Sequence, residues 1–311
     1  MKNIREVEQP DYDKNSPARV TEMGNVTEVV VMQKPVSPPP IRKIDADHYV
    51  DLRTGEVFEY DEHGITRADN TQGIRRTLAH IRNIINTNVT EPDNVRWITL
   101  TYAENMTDPK RLYKDYEKFW KKFCYWCKTQ GYQKPEYISV IEPQGRGAWH
   151  AHAFFIWNEK APYIPNNDVL QPMWGHGWTK TKALTDVDNV GAYFSAYLAD
   201  MPLDEYEKLP HAHQNAQSIE KEFTNDDGLT KTKKFVKGGR LALYPAKMNI
   251  VRKSSGIKVA VPESMTFEEA QKKASSAKLT FSRSYEVVGD DGVGVNVVTK
   301  SYYNSRRAKN Q

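Results

Sequence analysis

At 311 residues the chain is long enough for one good-sized core with extensions or for two small domains. Its 39% hydrophobic and 27% charged residues describe a polar, water-facing protein, and no apolar run approaches the length needed to cross a bilayer. A formal net charge of only +4 does not by itself announce a nucleic-acid partner, so the case for one has to come from where the charges lie.

Residues 1–45 combine charged and polar residues with the run from Lys34 to Pro40, and they read as a flexible N-terminal extension without a secretory signal. Residues 48–60 suit a small hairpin turning at Arg53, Thr54, Gly55 and Glu56. Ile74, Leu78, Ile81 and Ile85 then recur at helical intervals among Arg75, Arg76, His80 and Arg82. They predict an amphipathic helix over 71–86, with His80 on its surface. Residues 95–102 give a strong strand signal, expected at the centre of a sheet. Asp108 and Pro109 follow as helix cap and first-turn proline. The helix they open carries Leu112, Tyr116, Phe119, Phe123 and Cys127 on one stripe and stops near Gly131. Cys124 and Cys127 form a lone CxxC inside it with no partner cysteines, so packing is the expected use and a reducing cytoplasm the expected location.

The stretch 137–157 holds the chemistry. Two short β-branched and aromatic runs flank a turn containing Gly145 and Gly147. Alternation along a strand puts His150 and His152 on one face and Trp149, Ala151 and Ala153 on the other. A register that sets Glu142 opposite His150 adds a carboxylate to the same face. Two imidazoles and a carboxylate then make a three-ligand site for a divalent metal ion, Mn or Mg in function, with coordination positions left for water or substrate. A further strand is expected over 177–184. Asp188 is placed to cap a helix over 189–199 in which Tyr193 and Tyr197, four residues apart, share a face. Residues 202–228 read as a polar surface excursion. Between Asp227 and Glu263 there is no acidic residue but nine lysines and arginines, a block suited to a phosphate backbone. A last helix over 267–278 and a basic tail over 301–311 complete the chain. Sequential strands with interspersed helices imply an α+β fold, a mostly antiparallel sheet with helices on one face.

A metal site beside two tyrosines suits phosphoryl transfer with a phenol as nucleophile, because the ion neutralises phosphate charge and aligns the scissile bond. Three motifs now resemble the rolling-circle replication initiators of the HUH endonuclease superfamily. They are the strand from Trp97 to Thr101, the Glu142 to His152 segment, and the helix holding Tyr193 and Tyr197, together covering roughly 95–200. The resemblance implies a central antiparallel sheet with the histidines on a middle strand and the tyrosine helix across it. It also implies His150, His152 and Glu142 as metal ligands and Tyr197 or Tyr193 as nucleophile. The activity it implies is site-specific nicking of one origin strand, a 5'-phosphotyrosine intermediate, and later strand transfer. Tyrosine following the histidines favours replication initiation over the sister group of conjugative relaxases, which usually carry it first. One departure is Leu198, Ala199 and Asp200, where many members carry a lysine three residues after the tyrosine, so Lys180 or Lys182 would have to serve the phosphate. Candidate DNA contacts are Arg146 in the turn, Lys180, Lys182, and Lys233, Lys234, Lys237 and Arg240 of the basic block. The domain plan is a flexible extension over 1–45, an endonuclease domain over 46–200 and a basic, origin-binding C-terminal region over 201–311. Origin DNA is the expected partner. With no phosphate-binding loop for ATP, a host helicase and polymerase are implied as well, and no membrane. A non-catalytic origin-binding regulatory protein, a relaxase- or transposase-type nickase of the sister groups and a zinc hydrolase are the rival readings, the last disfavoured by the absence of HExxH.

Overall fold

The computed structural model describes residues 3–35, 41–45, 48–52, 54–59, 71–145, 147–184, 189–209, 218–224, 230–245, 248–288 and 294–308. It divides into two compact units, one formed by 65–260 and the other by both chain ends, 1–64 and 261–311.

The middle unit is built on a five-stranded antiparallel sheet. Its order is Thr179–Lys182, Val95–Thr101, Trp149–Ile156, Glu136–Pro143 and Val251–Lys253. The histidine strand Trp149–Ile156 is therefore central. On one face Phe155 meets Phe119 and Phe123 of the helix Pro109–Thr129, with ring centroids 6.3 and 4.6 Å apart. That helix begins where Asp108 accepts a hydrogen bond from the Lys110 amide at 2.8 Å and Pro109 supplies a preset first turn. Leu112, Tyr116, Phe119, Phe123 and Cys127 form its buried stripe, and Gly131 ends the run at φ 74°.

The opposite face receives the helix Val190–Ala199, whose Phe194 ring stands 4.8 Å from Phe154 and 5.2 Å from Trp97. Helices thus cover both faces of the sheet, not one, because Phe154 and Phe155 are equally apolar and each demands cover. Helix Thr71–Asn88 buries Ile81 and Ile85 as its periodicity predicts and leaves His80 exposed. Its Asn86 Oδ1 accepts from the Gly191 amide at 2.8 Å, and a Cβ at Gly191 would stand only 2.7 Å from that oxygen. Glycine at 191 is what lets the two helices approach so closely.

Several expectations are corrected here. The basic block is not a separate region: Val251–Lys253 pairs with the Glu142 strand, so a boundary at 200 cuts through the unit. The excursion 202–228 supplies the short helix Leu203–Tyr206 and the strand Ser218–Thr224. That strand joins Thr230–Val236 and Met201–Pro202 in a three-stranded sheet.

The chain ends form their own six-stranded antiparallel sheet. Its order is Asn3–Val7, Lys278–Val288, Gly294–Asn304, Val26–Met32, Pro17–Met23 and Glu263–Thr266. Ala18, Val20, Val29 and Val31 pack with Ala270 and Ala274 of the helix Phe267–Ala274. The reading of 1–45 as a flexible extension fails for the four strands it holds, three of which find hydrogen-bonding partners at the far end of the chain. Residues 36–40 of the proline run lie outside the described residues. The tail expected over 301–311 begins as the last residues of the strand Gly294–Asn304. The hairpin at 48–60 is present as His48–Asp51 and Val57–Glu59, joined in a small sheet by Ile41–Lys43, with Gly55 at φ 77° in its turn.

Candidate active site

Strand register assembles the site. Glu142 lies opposite His150, and His150 lies opposite Thr101, so these three share one row and one face of the sheet. The next row on that face holds Val140, His152, Thr99 and Lys180, and the one after it Ile138, Phe154, Trp97 and Lys182. The sheet face that carries the histidines is the one covered by the tyrosine helix.

Glu142 and His152 are almost fully buried, at 3% and 1% exposure. His152 Nε2 lies 2.5 Å from Glu142 Oε2, and Arg240 Nη1 lies 2.7 Å from Glu142 Oε1. Burial pushes the Glu142 carboxyl up. The His152 hydrogen bond and the neighbouring His152, Arg240 and His150 side chains outweigh burial and hold it below the usual carboxylate range. On the other side of the ring, His152 Nδ1 receives the Trp97 indole N–H at 3.3 Å and stands 3.2 Å from Thr99 Oγ1. Indole nitrogen is a donor only, so Nδ1 is the acceptor and Nε2 carries the proton given to Glu142.

Arg240 is the residue that sequence reasoning misplaced. Expected among surface DNA contacts, it is buried. Its Nη1 also donates to the Pro143 carbonyl at 3.1 Å and its Nε to the Asp200 carbonyl at 3.4 Å. One guanidinium therefore joins the Glu142 strand to the residue that caps the tyrosine helix. No short-range motif signals this, since Arg240 and Pro143 are 97 residues apart. A cleft of about 530 Å³ opens beside it, lined by Glu142, Gln144, Gly145, His150, Glu205, Lys208 and Arg240. Glu205 and Lys208 had no sequence signal.

On the tyrosine helix Asn189, not Asp188, is the cap, accepting from the Ala192 amide at 3.0 Å. Asp188 lies outside the described residues. Tyr193 is 44% exposed, edge-on to Trp97 at 6.0 Å, with Lys182 Nζ 5.8 Å above both rings. Tyr197 sits one turn further on, toward Asp200. Lys180, Lys182, Lys233, Lys234 and Lys237 are exposed, with Lys233 3.2 Å from Asp204 and Lys234 3.8 Å from Glu220. Arg146 lies outside the described residues. Among the described residues, no three His, Cys, Asp or Glu side chains already form a metal cage, since Glu142 is turned to His152 and Arg240.

Residues 95–202 match the family model of the replication-associated protein ORF2. The match begins with the strand Val95–Thr101 and ends just past the tyrosine helix, so the matched segment contains the histidine strand, Glu142 and both tyrosines. It covers about a third of the chain and marks that third as a replication-associated domain. Glu205, Lys208 and Arg240, which complete the cleft, follow the replication-associated segment. No curated protein and no solved structure matches the chain.

Proposed function

We propose that this protein is a rolling-circle replication initiator of the HUH type, a metal-dependent nickase and strand transferase acting on one strand of origin DNA. The observation that carries this reading is the shared sheet face, on which Glu142, His150 and His152 lie under the helix bearing Tyr193 and Tyr197.

The donor set, two imidazoles and a carboxylate held ionised, suits a divalent ion, Mn or Mg. When bound, such an ion neutralises a phosphate oxygen and polarises phosphorus. The chain's own residues do the rest. For His152 to offer Nε2 as a ligand, its proton must pass to Nδ1, which then donates to Thr99 Oγ1 and gives up the bond from the Trp97 indole N–H. Arg240 keeps the second Glu142 oxygen in place. A tyrosine oxygen, of Tyr197 or Tyr193, attacks phosphorus. The bond to the 3' oxygen breaks, that oxygen leaves with the electron pair, and the phenol proton released by the tyrosine passes through water to it. The 5' phosphate stays on the tyrosine, and the free 3' hydroxyl is left for a host polymerase, with a host helicase opening the duplex. Lys182, beside Tyr193, takes the place of the missing lysine in meeting the phosphate.

Nicking of single-stranded origin oligonucleotides tests this, run with Mn, with Mg and with chelator. Wild type should give a covalent protein–DNA adduct that chelator and His150→Ala abolish and that either Tyr197→Phe or Tyr193→Phe removes. A second reading, an origin-binding protein without catalysis, draws on Glu142 having both oxygens engaged by His152 and Arg240. Origin binding with no adduct under any metal would decide for it.

A further inference from the structure

The chain has seven tryptophans, and six of them are buried or half-buried. Trp178 is 59% exposed, an unusual position for the largest apolar side chain. Its backbone is nevertheless tightly held. The Thr101 amide donates to the Trp178 carbonyl and the Ala103 amide to the His176 carbonyl, both at 2.9 Å. Between those two bonds lies Gly177 at φ 153°, where a Cβ would stand 2.5 Å from Thr101 O and Ala103 N. Only glycine lets the chain pass there, so the position of Trp178 is imposed by the backbone on either side of it.

The same pairing fixes its direction. Thr179 lies opposite Leu100 and Lys180 opposite Thr99, and continuing the ladder by one residue sets Trp178 opposite Thr101. Thr101 in turn lies opposite His150, and His150 opposite Glu142. Trp178 thus stands in the row of His150 and Glu142, two strand spacings from His150, or roughly 10 Å. Lys180 and Lys182, both exposed, follow on the same face at alternate positions along the edge strand.

An exposed aromatic ring followed by two cations, leading along an edge to the row that holds the candidate metal ligands, matches what a single strand of DNA presents. Its unpaired bases stack on aromatic rings, and its phosphates meet lysines. We propose that Trp178 is a stacking platform for a base flanking the phosphate handled in the cleft, with Lys180 and Lys182 on the same face meeting the backbone. The platform rests on the reading of that cleft as a site for single-stranded DNA. A duplex keeps its bases stacked on one another and cannot use it.

Binding measured in chelator separates the platform from the chemistry. The full chain is titrated with a mixed-sequence single-stranded oligonucleotide, and with the same sequence as duplex, following tryptophan emission and the anisotropy of labelled DNA. Single strand should quench emission, and the quench should largely disappear in Trp178→Phe, which keeps a stacking ring and should bind within about twofold of wild type. Trp178→Ala should weaken single-strand binding roughly tenfold and leave duplex binding unchanged. Circular dichroism should show both variants folded, since the side chain lies outside the core. Unaltered single-strand affinity in Trp178→Ala, or an equal loss on duplex, would overturn the platform. If wild type forms no adduct with any metal but the quench and its loss are seen, the nicking reading fails and the platform stands.

Discussion

The two faces of the central sheet come from the same strands and are made of alternate residues, yet they hold opposite kinds of matter. Toward the helix Pro109–Thr129 the histidine strand shows Ala151, Ala153 and Phe155, and what packs there is mainly hydrocarbon and ring, with Ser139 and Asp115 as buried polar residues. Toward the tyrosine helix it shows His150, His152 and Phe154, and a carboxylate, two imidazoles and a guanidinium are enclosed. Small alanines on the first face admit a helix dense in aromatics, which anchors the strand. The second face can then hold groups that are costly to bury, provided each has a partner. Stability is drawn mainly from one side and chemistry from the other.

The sharpest way to break this division is to empty the dry face. Phe155→Ala removes a fully buried ring from between Phe119, Phe123 and Trp120, and should cost about 3–5 kcal/mol in urea unfolding. DNA binding per folded molecule should stay the same, and a variant as stable as wild type would deny that face its anchoring role. A smaller loss is expected on the wet face. Arg240→Gln leaves Glu142 with His152 as partner and should cost about 1–3 kcal/mol. It should also lower metal affinity, read by Mn titration, because the carboxylate loses its fixed orientation; unchanged affinity would show that Arg240 only packs. The smallest effect concerns Cys127. Burial, and then Cys124, push its thiol up to about 12. Iodoacetamide at pH 8 should leave it unlabelled in the folded protein, by mass spectrometry, while unfolding releases it. Labelling without unfolding would mean that the dry face opens.

What could be read from the residues was whatever has a short period. Alternation separated His150 and His152 from Ala151 and Ala153, and helical spacing found the stripe from Leu112 to Cys127. The register of Glu142 was open in the sequence and is now fixed opposite His150. Pairings between distant segments were not legible. Asn3–Val7 lies against Lys278–Val288, and nothing in its charged sequence marks it as a strand until that partner is present. The hairpin of Lys278–Val288 and Gly294–Asn304 was missed although Leu279, Phe281, Tyr285 and Val287 alternate with polar residues along its first strand, a period-2 signal that went unread. Arg240 misled for another reason. A cation in a basic block looks like every other cation there until its carboxylate arrives from 98 positions earlier, at Glu142.

That last bond bears on ancestry. The recognisable replication-associated segment stops at residue 202, while the guanidinium that clasps its carboxylate is contributed from position 240. Moved alone into another protein, the segment would carry a buried acid stripped of its counter-charge, and the cleft would lack one wall. The region after the motif therefore cannot drift as a detachable accessory. Segment and sequel have to be inherited as one piece, and a recombination joint just after Pro202 should be selected against even where every motif residue survives.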